Sequence, residues 1–187
     1  GIDEREREIV ADGHALTLHL VRPHGSRGRL PYFVFIHGGG WVLGDYPTHR
    51  RLIRDLVVES EVAAVFVDYT PSPEAKYPQA VDEIYAAVKW VAENDAELDL
   101  DRRRMALVGN SAGGNMALAA ALLAKKRHAP AVRALVLLWP VTSASSDWKS
   151  YALYGGERFL TAPLMKWMFD RYTTDARARE EILLSPV

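Results

Sequence analysis

The sequence predicts an α/β fold with a mostly parallel sheet, and two observations carry that prediction. First, four short apolar runs do not alternate with polar residues, which is the pattern of strands buried on both faces. They are Tyr32–Ile36, Val62–Val67, Met105–Val108 and Val132–Leu138. Second, segments with helical spacing separate these runs, so that strand and helix alternate in steps of about thirty to forty residues, as in an open sheet with right-handed crossovers.

Three segments between the strands place apolar residues on one helical face. They are Arg50–Glu59, Tyr77–Ala92 and Ala112–Lys126. The last segment consists mainly of Ala and Leu until Lys125 and Lys126, whose positive charges are favoured at a helix C-terminus by the helix dipole. All three are therefore predicted to be helices.

The N-terminal residues predict an antiparallel hairpin at an edge of the sheet. The runs Arg5–Val10 and Ala15–Val21 are joined by Asp12-Gly13, a dipeptide that favours a tight hairpin turn. The first run is heavily charged, which suits an exposed edge strand.

Beyond Pro140 the alternation of strands and helices stops. Residues 143–179 are rich in Trp, Tyr and Phe and include one predicted helix, Pro163–Tyr172. We therefore expect residues 1–140 to form the core. Residues 141–187 are expected to form a cap segment over the carboxyl edge of the sheet and to start a return to the core.

Composition excludes several classes of function. The chain has 187 residues, a formal net charge of −1 and no cysteine, so it lacks a basic surface for nucleic acid, disulfides, thiolate chemistry and Cys-ligated zinc. Its longest apolar runs fall short of the roughly 20 residues that cross a bilayer. We expect no nucleic-acid partner, no membrane span, no metal, no cofactor and a cytoplasmic location. The sequence leaves open whether copies of the chain form a homo-oligomer.

The most specific motif is the segment 109–113, which reads Gly-Asn-Ser-Ala-Gly between a predicted strand and a predicted helix. A nucleophilic serine on a sharp strand-to-helix turn needs small neighbours, which Gly109 and Gly113 provide. Ser111 would then lie at a helix N-terminus, where amides and the dipole favour a developing oxyanion. A glycine-rich turn in which Ser111 merely caps the helix would give the same pattern.

A second glycine-rich segment, His37–Trp41, directly follows the strand Tyr32–Ile36. Three consecutive glycines leave backbone N–H groups unobstructed, as an oxyanion hole requires. Both glycine-rich segments end buried strands, and ligands bind at the carboxyl ends of parallel strands. A merely flexible loop would not explain this shared position.

These motifs resemble the hormone-sensitive-lipase-like family of α/β-hydrolase carboxylesterases. Residues 37–41 match the HGGG motif of that family, and residues 109–114 read GNSAGG where the family usually has GDSAGG. Residues 68–78 are similar to the DYR…PE…(F/Y)P stretch of the family, although Thr70 stands where Arg is common.

The resemblance implies an α/β-hydrolase fold and a serine carboxylesterase that hydrolyses short-chain carboxylic esters through an acyl-serine intermediate. It implies Ser111 as the nucleophile and the amides of Gly39, Gly40 and Ala112 as oxyanion donors. The residues that support these motifs are His37, Gly38, Gly109 and Gly113. A small-molecule ester is the expected partner. A catalytically silent hydrolase-like module that binds a small molecule is the alternative.

A serine nucleophile needs a base, and in this fold a carboxylate and then a histidine follow the serine along the chain. The only histidine after Ser111 is His128, which a straight helix would place roughly 24 Å away. We expect His37 to order its glycine loop and interpret His49 as a surface residue near a helix start. The remaining histidines belong to the N-terminal hairpin region and precede the serine: His14, His19 and His24.

Carboxylates after Ser111 do not follow a further strand, as the acid of the family would. The candidates are Asp147, Asp170 and Asp175. The resemblance is specific from about Tyr32 to Pro140 and looser to Val187. We therefore expect a C-terminal remainder of the same protein to supply the acid and the histidine, and we expect the strand Val132–Leu138 to present an unpaired, apolar edge.

Overall fold

Six strands form one mixed sheet in the computed structural model, which describes residues 1–156 and 158–187. The strands are β1 (Ile2–Ala11), β2 (His14–Pro23), β3 (Leu30–Ile36), β4 (Ala63–Asp68), β5 (Leu100–Asn110) and β6 (Ala134–Leu138). Their order in the sheet is β1-β2-β4-β3-β5-β6. Strands β4, β3, β5 and β6 run parallel, whereas β2 pairs antiparallel with β1 and β4. The predicted parallel sheet with an antiparallel N-terminal hairpin is confirmed.

Five helices accompany the sheet in the described residues, 1–156 and 158–187. They are α1 (Tyr46–Ser60), α2 (Gln79–Glu93), α3 (Ala112–Lys126), α4 (Lys149–Tyr154) and α5 (Ala162–Tyr172), followed by a single 3-10 turn at Ala178–Glu180. Helix α3 has the predicted bounds, and α5 begins one residue before its predicted start. Helix α4 was not predicted from the sequence. Of the helices formed by residues 1–156 and 158–187, none has both the length and the apolar character needed to span a membrane.

The two faces of the sheet are buried by different helices. Because successive side chains of a strand point to opposite faces, β3 contributes to both layers. Tyr32, Val34 and Ile36 pack in the cluster that contains α2 and α3, whereas Phe33 and Phe35 pack in the cluster that contains α1. The apolar run of β3 is thus buried on both sides, as predicted.

Helix α1 begins four residues before its predicted start because a capping box fixes its N-terminus. The side chain of Asp45 accepts a hydrogen bond from the Thr48 amide at 2.9 Å, and the Thr48 hydroxyl accepts one from the Asp45 amide at 3.0 Å. This polar first turn carries none of the apolar periodicity on which the prediction relied. The start of β5 at Leu100 was not predicted for the same reason, because most of its first residues are charged rather than apolar.

Strand β6 has the unpaired edge that the sequence predicted, but it is less buried than predicted. Its apolar run was expected to be buried on both faces, yet Leu135 and Val136 are 38% and 45% exposed. The reason is its place in the sheet, because β6 is the last strand in the order and pairs only with β5. Within the part of the chain that the structure describes, its outer edge is free.

The C-terminal helix α5 packs against the loop that follows β3. The indole of Trp41 stacks on Tyr172 with ring centroids 4.8 Å apart and contacts Phe169 at 4.9 Å. The Tyr77 amide donates a hydrogen bond to the Tyr172 carbonyl at 2.9 Å, and Thr161 caps the start of α5. Helix α5 therefore lies at the carboxyl edge of the sheet.

Candidate active site

The two glycine-rich segments leave neighbouring strands at one edge of the sheet. Ile36, the last residue of β3, is in register with Gly109 near the end of β5. The loops that follow therefore meet, and a Cβ built on Gly38 would lie 3.1 Å from the Cβ of Ser111. The structure brings together the two segments that the sequence predicted would share a site.

Ser111 lies at a sharp turn between β5 and α3. Its backbone has φ 53° and ψ −123°, a conformation that is strained for a residue with a side chain. Its side chain makes no capping hydrogen bond to α3. The alternative in which Ser111 is only a helix cap therefore lacks the contact that defines such a cap. The half-buried hydroxyl is left for other chemistry.

Small residues allow α3 to start directly against the ends of β3 and β5. A Cβ on Gly113 would lie 2.1 Å from the Ile36 carbonyl oxygen and 2.4 Å from that of His37. A Cβ on Gly109 would lie 2.4 Å from the Gly113 carbonyl oxygen. These distances are shorter than any side chain tolerates, so the glycines permit the close approach that forms the turn at Ser111.

Three backbone amides, one directly after Ser111 in sequence and two directly after Gly38, are free to donate. Those of Gly39, Gly40 and Ala112 make no hydrogen bond to any acceptor in residues 1–156 and 158–187. Ala112 lies in the first turn of α3, where the helix dipole is positive. Gly40 has φ 62° and packs against the side chain of Met168 in α5. This arrangement can stabilise an anionic oxygen near Ser111.

The buried ring of His37 supports the glycine loop 37–41. Its ring is buried, stacks on Tyr69 with centroids 4.2 Å apart, and donates from Nδ1 to the Gly38 carbonyl oxygen at 2.9 Å. The Tyr69 hydroxyl donates to the His37 carbonyl oxygen at 2.9 Å. Burial, with a smaller contribution from nearby His49, lowers the pKa of His37 to about 4 against the raising effect of the hydrogen bond to Gly38. His37 is therefore neutral at pH 7.

His49 lies near a helix start, as the sequence indicated, but it is not simply a surface residue. Its side chain is half-buried, with Nε2 3.3 Å from Nδ2 of Asn110 and its ring 5.4 Å from that of His37. The early start of α1 explains the difference, because it places His49 in the first turn of the helix, beside the end of β3. Asn110 in turn accepts a hydrogen bond from the Gly38 amide at 2.9 Å.

No histidine in residues 1–156 and 158–187 contacts the Ser111 hydroxyl within hydrogen-bond distance. His128 follows α3 at its far end, about 22 Å from the start of the helix at 1.5 Å per residue. The hairpin histidines lie beside carboxylates instead, in the pairs His14–Glu83, His19–Asp68 and His24–Asp3.

The three candidate carboxylates have other surroundings. Asp170 binds Lys166 at 2.6 Å and Arg179 at 2.7 Å, Asp175 accepts from the Arg177 amide at 2.8 Å, and Asp147 is exposed. Within the described residues, no group of three or more His, Asp or Glu side chains is arranged to hold a metal ion.

Four residues at this edge were not assigned a role from the sequence: Tyr69, Asn110, His49 and Trp139. Trp139 directly follows Leu138, whose carbonyl accepts the Ser111 amide at 2.9 Å, and it combines φ 42° with 71% exposure. A non-glycine residue in such a conformation persists only where its surroundings determine it. The sequence signal for both Tyr69 and Trp139 was their position just after a strand of the same sheet.

Comparison with known proteins places this chain in a family. Residues 33–187 match the family described as alpha/beta hydrolase fold. The chain therefore belongs to that family, and the predicted α/β-hydrolase fold is confirmed. Several relatives are named as esterases, which confirms the resemblance to the hormone-sensitive-lipase-like carboxylesterases.

Two curated relatives and one solved structure illustrate the similarity. The chain is 34% identical over 179 residues to an ethyl acetate hydrolase from Pseudomonas putida, covering 94% of this chain and 56% of that protein. It is 38% identical over 147 residues to carboxylesterase NlhH from Mycobacterium tuberculosis, covering 78% and 46%. The structure of a thermostable esterase from Pseudomonas putida ECU1011 has a TM-score of 0.97 and 56% identity, covering 100% and 58%. The chain thus spans about half the length of the curated relatives it matches.

Proposed function

We propose that this protein is a carboxylic ester hydrolase that acts through an acyl intermediate on Ser111. The hydroxyl oxygen attacks the ester carbonyl, and the amides of Gly39, Gly40 and Ala112 donate to the oxyanion. The alcohol leaves, and water then hydrolyses the acyl-serine to release the acid. The observation that carries the proposal is the strained, uncapped Ser111 beside unpaired amides from a second loop.

A similar esterase supports this assignment. In a structure that is 55% identical and covers this whole chain, a double mutant replaces one serine by alanine and one tryptophan by histidine. The two replaced positions are separated by the same number of residues as Ser111 and Trp139. The same spacing joins the proposed nucleophile here to the strained tryptophan at the end of β6.

The expected substrates are short-chain carboxylic esters. A hollow of about 240 Å³ lies between α4 and α5, lined by Ser150, Tyr151, Tyr154, Gly155, Leu160, Ala162 and Met165. Met165 is one helical turn from Met168, which packs against Gly40 of the proposed oxyanion hole. The contact of Met168 with Gly40 supports residues 141–187 as a cap segment over a core of residues 1–140.

The reaction also needs a histidine base and a carboxylate that orients it. Neither contacts Ser111 among the described residues. We propose that a C-terminal part of the same protein supplies both groups, since the matched relatives are about twice as long as the segments they share with this chain. The alternative to ester hydrolysis is a catalytically silent hydrolase-like module that binds a small molecule.

The test uses the full-length protein with p-nitrophenyl acetate and an organophosphonate, followed by intact-mass measurement. We expect turnover, a covalent adduct on Ser111, and a loss of at least about 10³-fold in kcat in Ser111→Ala. Ser146→Ala, which alters an exposed serine of the cap segment, is the matched control and should behave as the parent. Absence of both turnover and labelling would overturn the esterase proposal and leave the binding module.

A further inference from the structure

We propose that Asn110 and His49 form a hydrogen-bond relay that positions the Gly38 amide, and with it the glycine loop 37–41, against Ser111. The relay joins the first turn of α1 to the loop through the residue that precedes the serine. Its consequence for catalysis rests on the proposed ester hydrolysis, whereas the relay itself is a property of the folded chain.

The Gly38 amide determines the orientation of the Asn110 side chain. An amide N–H can only donate, so the atom 2.9 Å away must be the oxygen Oδ1 of Asn110. The nitrogen Nδ2 then faces His49, whose Nε2 lies 3.3 Å away. Because Nδ2 can only donate, Nε2 of His49 must be its unprotonated acceptor.

The other ring nitrogen of His49 is in a place suited to carry the proton. Nδ1 lies 3.2 Å from the Asp45 carbonyl oxygen and 3.0 Å from the Thr48 hydroxyl, the two residues that form the capping box of α1. The ring also lies beside the aromatic ring of Phe35. The relay thus runs from the α1 cap through His49 and Asn110 to the Gly38 amide, and it requires the neutral Nδ1–H tautomer of His49.

Gly38 is the point at which this relay acts on the reaction centre. A Cβ at Gly38 would approach the Asn110 carbonyl oxygen at 2.5 Å and the Ser111 Cβ at 3.1 Å, so the loop backbone is packed closely against both residues at this position. The proposed donors Gly39 and Gly40 are the next two residues. A loop released at Gly38 would move both donors relative to Ser111, and small displacements of oxyanion donors are costly in rate.

The chemistry of Asn110 distinguishes it from the aspartate that is usual in the GDSAGG motif. An aspartate at this position would still accept from the Gly38 amide, but its second oxygen can only accept. His49 would then have to carry a proton on Nε2. Asn110→Asp is therefore a conservative variant that keeps the loop contact and reverses the tautomer of the histidine.

Nuclear magnetic resonance tests the relay without any activity. In the parent chain, at a pH where His49 is neutral, we expect 15N shifts of the Nδ1–H tautomer, and in Asn110→Asp we expect protonated Nε2. Asn110→Ala should raise the hydrogen-exchange rate of the Gly38 amide at least tenfold, whereas Asn110→Asp should not. His24→Ala, at the exposed end of the hairpin, is the matched histidine control. A parent His49 protonated on Nε2, or an unchanged Gly38 rate in Asn110→Ala, would overturn the relay.

Kinetics of the full-length protein test its consequence. Asn110→Ala should lower kcat at least tenfold with KM changed less than threefold, and Asn110→Asp should recover most of kcat. Unchanged kcat in Asn110→Ala, with active parent enzyme, would refute positioning while ester hydrolysis stands. Absence of turnover in the parent would instead count against the proposed function. The resonance measurements would still show whether the hydrogen-bond relay exists.

Discussion

Ser111 is held in its strained conformation by hydrogen bonds from both sides. Its amide donates to Leu138 at the end of β6, and its carbonyl accepts from Asn115 in α3 and from Val141 after β6. A non-glycine residue in a sparsely populated backbone region costs of order 1–3 kcal/mol, and it persists only where its surroundings determine it. The ends of β5, α3 and β6 together fix the serine, so its orientation does not depend on its own side chain.

His37 makes the stability of the fold depend on pH. Its pKa is about 4 in the folded chain, mainly because of burial, against 6.5 for an exposed histidine. Below pH 6.5 the unfolded chain binds a proton that the folded chain does not, so the neutral form stabilises the fold fully above pH 6.5 and this stability is lost as the pH falls toward 4. We expect the loss to reach up to about 3 kcal/mol. Denaturant unfolding of the parent and of His37→Asn, measured between pH 7 and pH 4, checks this value.

Asn is the matched replacement because its side-chain nitrogen takes the place of Nδ1 and does not titrate. His37→Asn should be less stable at pH 7 through loss of ring stacking, yet its stability should fall less steeply with decreasing pH. His128→Asn, which alters an exposed histidine that has no carboxylate partner among the described residues, should retain the slope of the parent. Equal slopes for the parent and His37→Asn would show that His37 does not titrate in this way.

The start of α3 is the most constrained junction between elements. A Cβ at Gly113 would meet the backbone oxygens of Ile36 and His37 at 2.1 Å and 2.4 Å, and neither can move without displacing β3. We expect Gly113→Ala to lower the free energy of unfolding by more than about 3 kcal/mol, as a severe overpacking change does. Guanidinium unfolding followed by circular dichroism measures this loss.

Alanine substitutions at two further glycines provide comparisons for the stability loss in Gly113→Ala. A Cβ at Gly40 would have Sδ, Cε and Cγ of Met168 as its nearest neighbours, and these belong to a flexible side chain rather than to backbone. With the added strain of φ 62°, Gly40→Ala should cost about 1–2 kcal/mol. Gly156→Ala has no atom within 4 Å of the new Cβ and should change stability by less than about 0.5 kcal/mol. The order Gly113, Gly40, Gly156 is the expected ranking of the losses, and a Gly113→Ala variant as stable as Gly156→Ala would contradict it.

For the molecule as a whole, local sequence patterns predicted most of the strands and helices. They did not predict contacts between residues that are far apart in sequence. Continuous apolar runs located β3 and β4, and the Ala-rich segment located α3, because these features depend on neighbouring residues alone. The prediction that both glycine-rich segments lie at one edge followed from the carboxyl ends of parallel strands. The contact of His49 with Asn110 joins residues far apart in sequence, and the support of His37 by Tyr69 depends on the order of the strands. Neither leaves a periodic signal.

The position of β6 has a consequence for the solution state of the chain. An apolar strand with one free edge is a template for pairing with another strand. Residues on β6 are exposed, with Val136 at 45%, whereas the opposite edge strand β1 is protected by its charged residues. We therefore expect the 187-residue chain to self-associate through β6, with sedimentation velocity showing a weight-average mass that rises with concentration.

A lysine on the free edge should suppress this association, because its charge would have to be desolvated in a paired sheet. We expect Val136→Lys to sediment as a monomer at concentrations where the parent associates. Val10→Lys is the matched control, because Val10 is an exposed valine, at 72%, on the edge strand that is already charged. It should associate as the parent does. If both lysine variants reduced association equally, net charge rather than the β6 edge would control it, and the edge-pairing explanation would be wrong.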